Sequence, residues 1–269
     1  MSKLRKILII VGSVVLILIL GLFITAKIVL RDKYVVPILM YHHVDDNWQK
    51  SKLSVSPQSF KKQMEFLKKK NYNVMSLSAL IDAVKQGEEL APKTVAITFD
   101  DGYEDNYLNA FGVLDELQIP ATMFVVVNSV GTEGFMSWEQ IKDMADSKVI
   151  DIGSHTLNHA WLRSQDDALL IKEIFESKEI LEQKTGRKIK TFSYPLGAYD
   201  KKVQKIVKLS GYAGACATNP EIDFKDPDKK YDPYAMARCR ISRTSDNLIV
   251  FRIEISGYYS WIKSVRDEK

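Results

Sequence analysis

At 269 residues, 46% hydrophobic and 27% charged, the chain has the composition of a folded protein, long enough for one barrel-sized core and a short appendage. That excludes a disordered or low-complexity protein. The formal net charge is +4, but within the first 33 residues six bases (Lys3, Arg5, Lys6, Lys27, Arg31, Lys33) face only Asp32, so the remainder is close to neutral and nucleic acid is not an expected partner.

Residues 7–26 are twenty in number and uncharged, and they follow Lys3, Arg5 and Lys6. This is a membrane-spanning length. It exceeds the apolar region of a cleavable signal peptide, and Ile24-Thr25-Ala26 makes a poor cleavage site. The pattern predicts an uncleaved, single-pass signal anchor and short linker over 1–33, holding a domain of 34–269 outside the cell membrane. Basic residues on both sides leave the positive-inside count nearly tied.

The run 35–44 is apolar, ends in two histidines and reads as a first strand. Helical spacing follows over 60–72 (Phe60, Met64, Leu67) and 77–87 (Leu80, Ile81, Val84), where Gly87 is the stop. A strand over 94–99 then closes on Asp100-Asp101-Gly102. That tripeptide is either a polar turn or a site of chemistry, since adjacent carboxylates raise one pKa unless a cation intervenes or the two take different tasks. Further on, a helix is predicted over 106–117 and a strand over 121–127. Ser137 and Gln140 form a capping box that opens the next helix. A strand over 150–153, a long amphipathic helix over 166–185 (Leu170, Ile174, Leu181), a strand over 191–194 and a helix over 201–209 follow. Strands over 213–218 and 236–241 and a helix or mixed element over 247–255 complete the series, with a Pro-, Asp- and Lys-rich surface loop over 219–233. Such alternation predicts an α/β fold whose parallel sheet closes as a TIM-like barrel. An open doubly wound sheet is the alternative, disfavoured because no Gly-x-Gly-x-x-Gly follows the early strands.

His42-His43, Asp100-Asp101, His155-Thr156-Leu157-Asn158-His159 and Tyr194-Pro195-Leu196-Gly197 each follow a predicted strand. In a parallel barrel these ends gather at one mouth. The chain has four histidines, and all four fall among these ends. His155 and His159, four apart, suit a divalent cation, and Asp101 as third ligand leaves positions open for water and substrate. The alternative is a pair of histidines on a helix face.

Together these motifs, spread over about 35–242, resemble those of the polysaccharide deacetylases of carbohydrate esterase family 4. The segment Pro37-Ile38-Leu39-Met40-Tyr41-His42-His43-Val44 is similar to the branch containing exopolysaccharide and cell-wall N-acetylglucosamine deacetylases. The resemblance implies a distorted (β/α) barrel, a divalent metal that is usually zinc, and hydrolytic removal of acetyl groups from an acetylated polysaccharide. It assigns Asp101, His155 and His159 to the metal, Asp100 to the general base and the backbone N–H of Leu196 to the oxyanion, with Pro195 and Gly197 shaping that turn. Two departures stand out. Ser193 occupies the place of an arginine that in many members orients the base, and no histidine follows His159 to serve as acid. Arg238 is the candidate for the first role, with Arg240 read as a solvated strand charge. For the second, neighbouring residues of an extended strand point to opposite sides, and the Tyr-His-x-Val pattern of that branch selects His42 over His43. Tyr103, Trp138, Trp161 and Tyr194 are aromatics that either pack or line a sugar groove; Tyr103, Trp161 and Tyr194 are the substrate-binding candidates. An O-acetyl carbohydrate esterase and a non-catalytic carbohydrate-binding barrel are competing readings. Cys216 and Cys239 are either bridged or buried thiols.

Overall fold

Alternation within the strands decides which side chains meet inside the molecule. The computed structural model describes residues 3–47, 51–218, 220, 222 and 231–267. Strands β1 (Ile38–Tyr41) and β5 (Thr94–Phe99) are buried along their whole length, as parallel strands covered on both faces are. Leu39, Val95, Ile97, Met123 and Val125 face the surrounding helices in one core, while Ile38, Ala96, Phe124, Cys216 and Met236 form a second with Leu77, Leu80 and Ile81 of α3 (Leu77–Gln86). The second core is the lumen. The period of two that sends Ala96 inward also sends Thr98 and Asp100 inward. At Gly153 a Cβ would lie 2.5 Å from the Phe124 ring, so this lumen position tolerates no side chain.

The remaining strands are β2 (His43–Val44), β3 (Ser54–Val55), β4 (Asn73–Met75), β6 (Ala121–Val125), β7 (Ile150–Ser154), β8 (Thr191–Ser193), β9 (Gly214–Ala217), β10 (Met236–Ala237) and β11 (Cys239–Arg240). Their order in the main sheet is β10-β9-β8-β7-β6-β5-β1-β11, with β4 added to β5. Among the described residues every pairing between these strands is parallel, and β2 pairs separately with β3. The two ends of the order, β10 and β11, are consecutive strands separated only by Arg238. The architecture is therefore a nearly closed parallel barrel with one seam.

Local sequence accounts for the helices. In α2 (Pro57–Lys69), Ser56 accepts from Ser59 N–H, a proline occupies the first turn, and Phe60, Met64 and Leu67 are buried. Helix α3 ends on Gly87 at φ 67°, a left-handed cap. The capping box of Ser137 and Gln140 opens α5 (Trp138–Asp146), and Asp200 caps α8 (Lys201–Leu209). Two expected helices carry an insertion. Residues Asn106–Phe111 form a π-helical turn before α4 (Gly112–Leu117), and a second π turn, Lys172–Glu176, joins α6 (Asp167–Ile171) to α7 (Ser177–Thr185). The strand expected over 35–44 is interrupted at His42, and the one over 236–241 is interrupted at Arg238. Helices α9 (Leu248–Glu254) and α10 (Tyr259–Asp267) complete the described chain. The loop expected over 219–233 lies mostly outside the described residues.

Helix α1 (Lys3–Arg31) is continuous over 29 residues and exposes apolar side chains such as Ile17 and Leu18. Counted over the residues described in full, no helix is long and apolar enough to cross a membrane. The anchor expected within 7–26 rests on the sequence alone. Cys216 and Cys239 are free, buried thiols, so the bridged alternative is not realised. Cys216 aligns with Met236 and Cys239 with Leu39, which places the thiols in different parts of the sheet.

Candidate active site

Strand β5 delivers Asp100 into the lumen, where it meets Arg238. The guanidinium grips the carboxylate as a fork, Nη1 to Oδ1 and Nη2 to Oδ2, both at 2.7 Å. Nη1 also donates to Thr98 Oγ1 at 3.2 Å and Nη2 to Ser193 Oγ at 2.9 Å. Arg238 thus turns inward at the break between β10 and β11, and Ser193 contributes a hydroxyl to the guanidinium. Burial pushes the Asp100 carboxyl up, but Arg238 and then His155 outweigh it and hold the group well below the usual carboxylate range. Burial likewise opposes the charge on Arg238, and Asp100 more than restores it. Arg240, by contrast, is exposed.

Asp101 follows at φ 75°, a left-handed conformation that breaks the strand alternation, and its carboxylate, like that of Asp100, approaches His155 Nε2. Its Oδ1 lies 3.5 Å from Nε2 of both His155 and His159. His155 Nδ1 hydrogen-bonds the Ser193 carbonyl at 2.8 Å, which leaves Nε2 with the lone pair. Ligands held tetrahedrally at about 2.1 Å from a zinc ion lie about 3.4 Å apart. The three donor atoms, all within 4.8 Å of one another, therefore fit a divalent cation. Thr156 (φ 71°) and His159 (φ 55°) are also left-handed, as is Leu196 (φ 56°). Such conformations in non-glycine residues concentrate at sites that need them.

The turn Pro195–Gly197 follows β8, whose last residue, Ser193, touches both His155 and Arg238. Gly197 and Ala198 N–H donate to Tyr194 and Pro195 carbonyls within the turn, both at 2.9 Å. Gly197 has φ 69°, and a Cβ there would stand 3.0 Å from Thr218 Cβ, so glycine is required on two counts. The Leu196 side chain is 65% exposed.

His42 and His43 diverge as adjacent extended residues do. His42 is held toward the site: burial, the largest influence, lowers its pKa, and Asp100 and Asp101 oppose that while Arg238 and His155 reinforce it. Its Nδ1 is buried with no hydrogen-bond partner among the described residues. His43 turns away, bonds Asp105 Oδ2 at 2.6 Å and stacks on the Tyr103 ring at 3.7 Å. The Asp105 hydrogen bond overcomes burial and raises the His43 pKa.

The aromatic candidates separate by environment. Trp161, 46% exposed, stands at the rim just after His159. Tyr103 is half-buried between His43 and Phe135 and hydrogen-bonds Asp101. Tyr194, expected in a sugar groove, is a core residue instead: it is fully buried, its hydroxyl donates to the Tyr234 carbonyl and its ring stacks on Tyr199. Trp138 is half-buried beneath Lys184. Asp105 and Glu173 take part in the site's framework, and sequence reasoning singled out neither. Glu173 carries no spacing signal at all, since it sits in a π turn.

The chain matches the family model described as polysaccharide deacetylase over residues 87–215. It is 31% identical over 206 residues to the Bacillus subtilis (strain 168) protein YxkH, named for a polysaccharide deacetylase, covering 77% of this chain and 71% of that one. With the poly-beta-1,6-N-acetyl-D-glucosamine N-deacetylase of Staphylococcus aureus (strain MSSA476) it shares 28% identity over 171 residues, 59% of each chain. The crystal structure of BC0361, a polysaccharide deacetylase from Bacillus cereus, superposes with a TM-score of 0.70 at 34% identity, over 81% of this chain and 68% of that one.

Proposed function

The chain belongs to the polysaccharide deacetylase family, and from that premise we propose that it removes N-acetyl groups from an N-acetylglucosamine polymer, of exopolysaccharide or cell wall, with a bound divalent metal. One observation carries this reading: Asp101, His155 and His159 converge within metal-ligand reach beside an Asp100 whose two oxygens are forked by Arg238. Asp101, His155 and His159 would hold the cation, and this mixed nitrogen and oxygen set suits zinc. The chemistry it supplies is polarisation of the acetyl carbonyl and acidification of water.

Asp100, kept ionised by Arg238, accepts the proton of the attacking water. Arg238 restricts the carboxylate to one orientation. The Leu196 amide, presented by the rigid Pro195–Gly197 turn, donates to the oxyanion as the carbonyl becomes tetrahedral. An amide anion is too basic to leave unaided, so the departing nitrogen must receive a proton. His42, set among Asp100, Asp101 and His155, is placed to give that proton. Water and the amide become acetate and a free amine. Trp161 at the rim offers a ring face to the sugar.

Appendage and location enter as part of the same proposal. Residues 1–33 act as a membrane anchor and 34–269 as an extracytoplasmic catalytic domain. Supporting this are the uncharged run 7–26 and the basic residues that precede it.

The test is amine release from β-1,6- and β-1,4-linked N-acetylglucosamine oligomers, set against acetate release from an O-acetylated polymer, before and after chelation. Chelator-sensitive amine release is expected. Acetate release from the O-acetylated polymer alone would favour an esterase, and bound metal with no turnover a carbohydrate-binding barrel.

A further inference from the structure

The loop that carries both histidines is held from beneath by one carboxylate that the reaction does not use. Glu173 Oε2 accepts the backbone N–H groups of Leu157 and Asn158, each at 3.0 Å, and Oε1 accepts Asn158 Nδ2 at 2.6 Å. Its side chain is almost wholly buried, at 1% exposure. A carboxylate withdrawn from water is costly unless its lone pairs find strong donors. Here all three donors belong to the segment between His155 and His159.

The loop needs such a hold. Thr156 and His159, at φ 71° and 55°, bracket Leu157 and Asn158, and a left-handed conformation is unfavourable for each of these non-glycine residues. Asn158 Oδ1 accepts from Asn128 Nδ2 at 2.7 Å, and the Thr156 and Leu157 carbonyls accept from Val127 and Asn128 N–H. One side of the loop is thus tied to the segment after β6 and the other to Glu173.

The helix is altered where Glu173 sits. The π turn Lys172–Glu176 lies between α6 and α7, and both Glu173 and Ile174 are buried in it. Single π turns of this kind are frequent at functional sites. Without the inserted residue the helical phase would change between Leu170 and Leu181.

Taking Asp101, His155 and His159 as the metal site, we infer that Glu173 is a positioning residue that fixes His159 against His155 by binding the loop backbone, and so sets the affinity and geometry of metal binding. Groups that orient ligands in this way typically change metal affinity about 10- to 100-fold when removed.

The experiment uses the full chain and its Glu173→Ala and Glu173→Gln variants. Zinc affinity is measured by competition with a chromogenic chelator, the visible spectrum is recorded with Co²⁺, and kcat is titrated against added metal. Glu173→Ala is expected to bind zinc about 10- to 100-fold more weakly, to shift the Co²⁺ spectrum and to recover kcat as metal is raised. Glu173→Gln, which keeps an acceptor oxygen, is expected to fall between. Parental affinity and spectrum in a folded Glu173→Ala, with only the melting temperature lowered, overturns the inference; if that variant does not fold, the same result in Glu173→Gln does so. An Asp101→Ala control separates the two readings, because unchanged metal binding there means that the triad itself is not the site.

Discussion

Replacing Arg238 by glutamine removes both 2.7 Å donors from Asp100 and leaves the Thr98 and Ser193 hydroxyls without their guanidinium partner. Breaking a buried ion pair from one side costs about 3–5 kcal/mol, because the remaining charge stays buried. In a domain of this size that is a fall of about 6–20 °C in Tm. The pH dependence should reverse as well. In the parent, Asp100 is held below its ordinary 3.8, so it stabilises the fold above that value and the stabilisation is lost as pH falls through the depressed folded value. Without Arg238, burial is the leading influence and favours the protonated acid; stability then declines as pH rises past the ordinary carboxylate range. The base is also silenced near neutrality. We expect kcat/KM to fall about 10²-fold or more and the acid limb of the pH–rate profile to move upward. Urea denaturation of metal-free protein at pH 5 and pH 8, with pH–rate profiles of the loaded enzyme, measures both effects. A variant as stable as the parent at pH 8, with an unmoved acid limb, refutes the role given to the fork.

Alanine at Asp101, His155 or His159 should lower bound metal and activity together, whereas Asp100→Asn should keep metal and lose turnover; elemental analysis checks this, and an emptied site in Asp100→Asn contradicts the division of labour. His42→Ala should retain metal and most substrate binding while kcat drops about 10²-fold or more, with His43→Ala milder. Equal turnover in His42→Ala and the parent counts against it as the acid. Burial pushes the Glu254 carboxyl from 4.5 up to about 7, although Ser245 donates to it. Its unfolded form ionises first, so this group destabilises the fold progressively between pH 4.5 and 7, by about 3 kcal/mol at 1.36 kcal/mol per unit. Glu254→Gln should therefore flatten the stability–pH curve in that window and gain over the parent at pH 8; parallel curves would contradict the shift.

The parallel barrel was legible because apolar runs alternate with amphipathic ones, and each polar cluster stands just past a run. The Asp100 and Asp101 pair and the histidine spacing were readable on the same grounds, whereas Arg238 came forward through the family resemblance, as the candidate for the arginine missing at Ser193. Tyr194 was misread because position after a strand says nothing about which neighbours close over the ring, and here Tyr199 and Tyr234 do. The π turns were invisible: Leu170, Ile174 and Leu181 keep an amphipathic look whether or not one residue is inserted, so Glu173 reads as an ordinary polar helix position. The strands β2, β3 and β4 have only two or three residues each, too few to show a period.

The partner of Asp100 comes from the far end of the chain, 138 residues later, at the seam where β10 passes into β11. At synthesis rates of about 5–20 residues per second, Asp100 exists for about 7–28 s before Arg238 has been made. During that time the carboxylate has no guanidinium to enter the lumen with. Growing or truncated chains that end before β11 should be devoid of deacetylase chemistry even where the earlier strands have assembled. Catalytic competence thus arrives with the last strand, and the timing of synthesis itself keeps a half-made hydrolase inert.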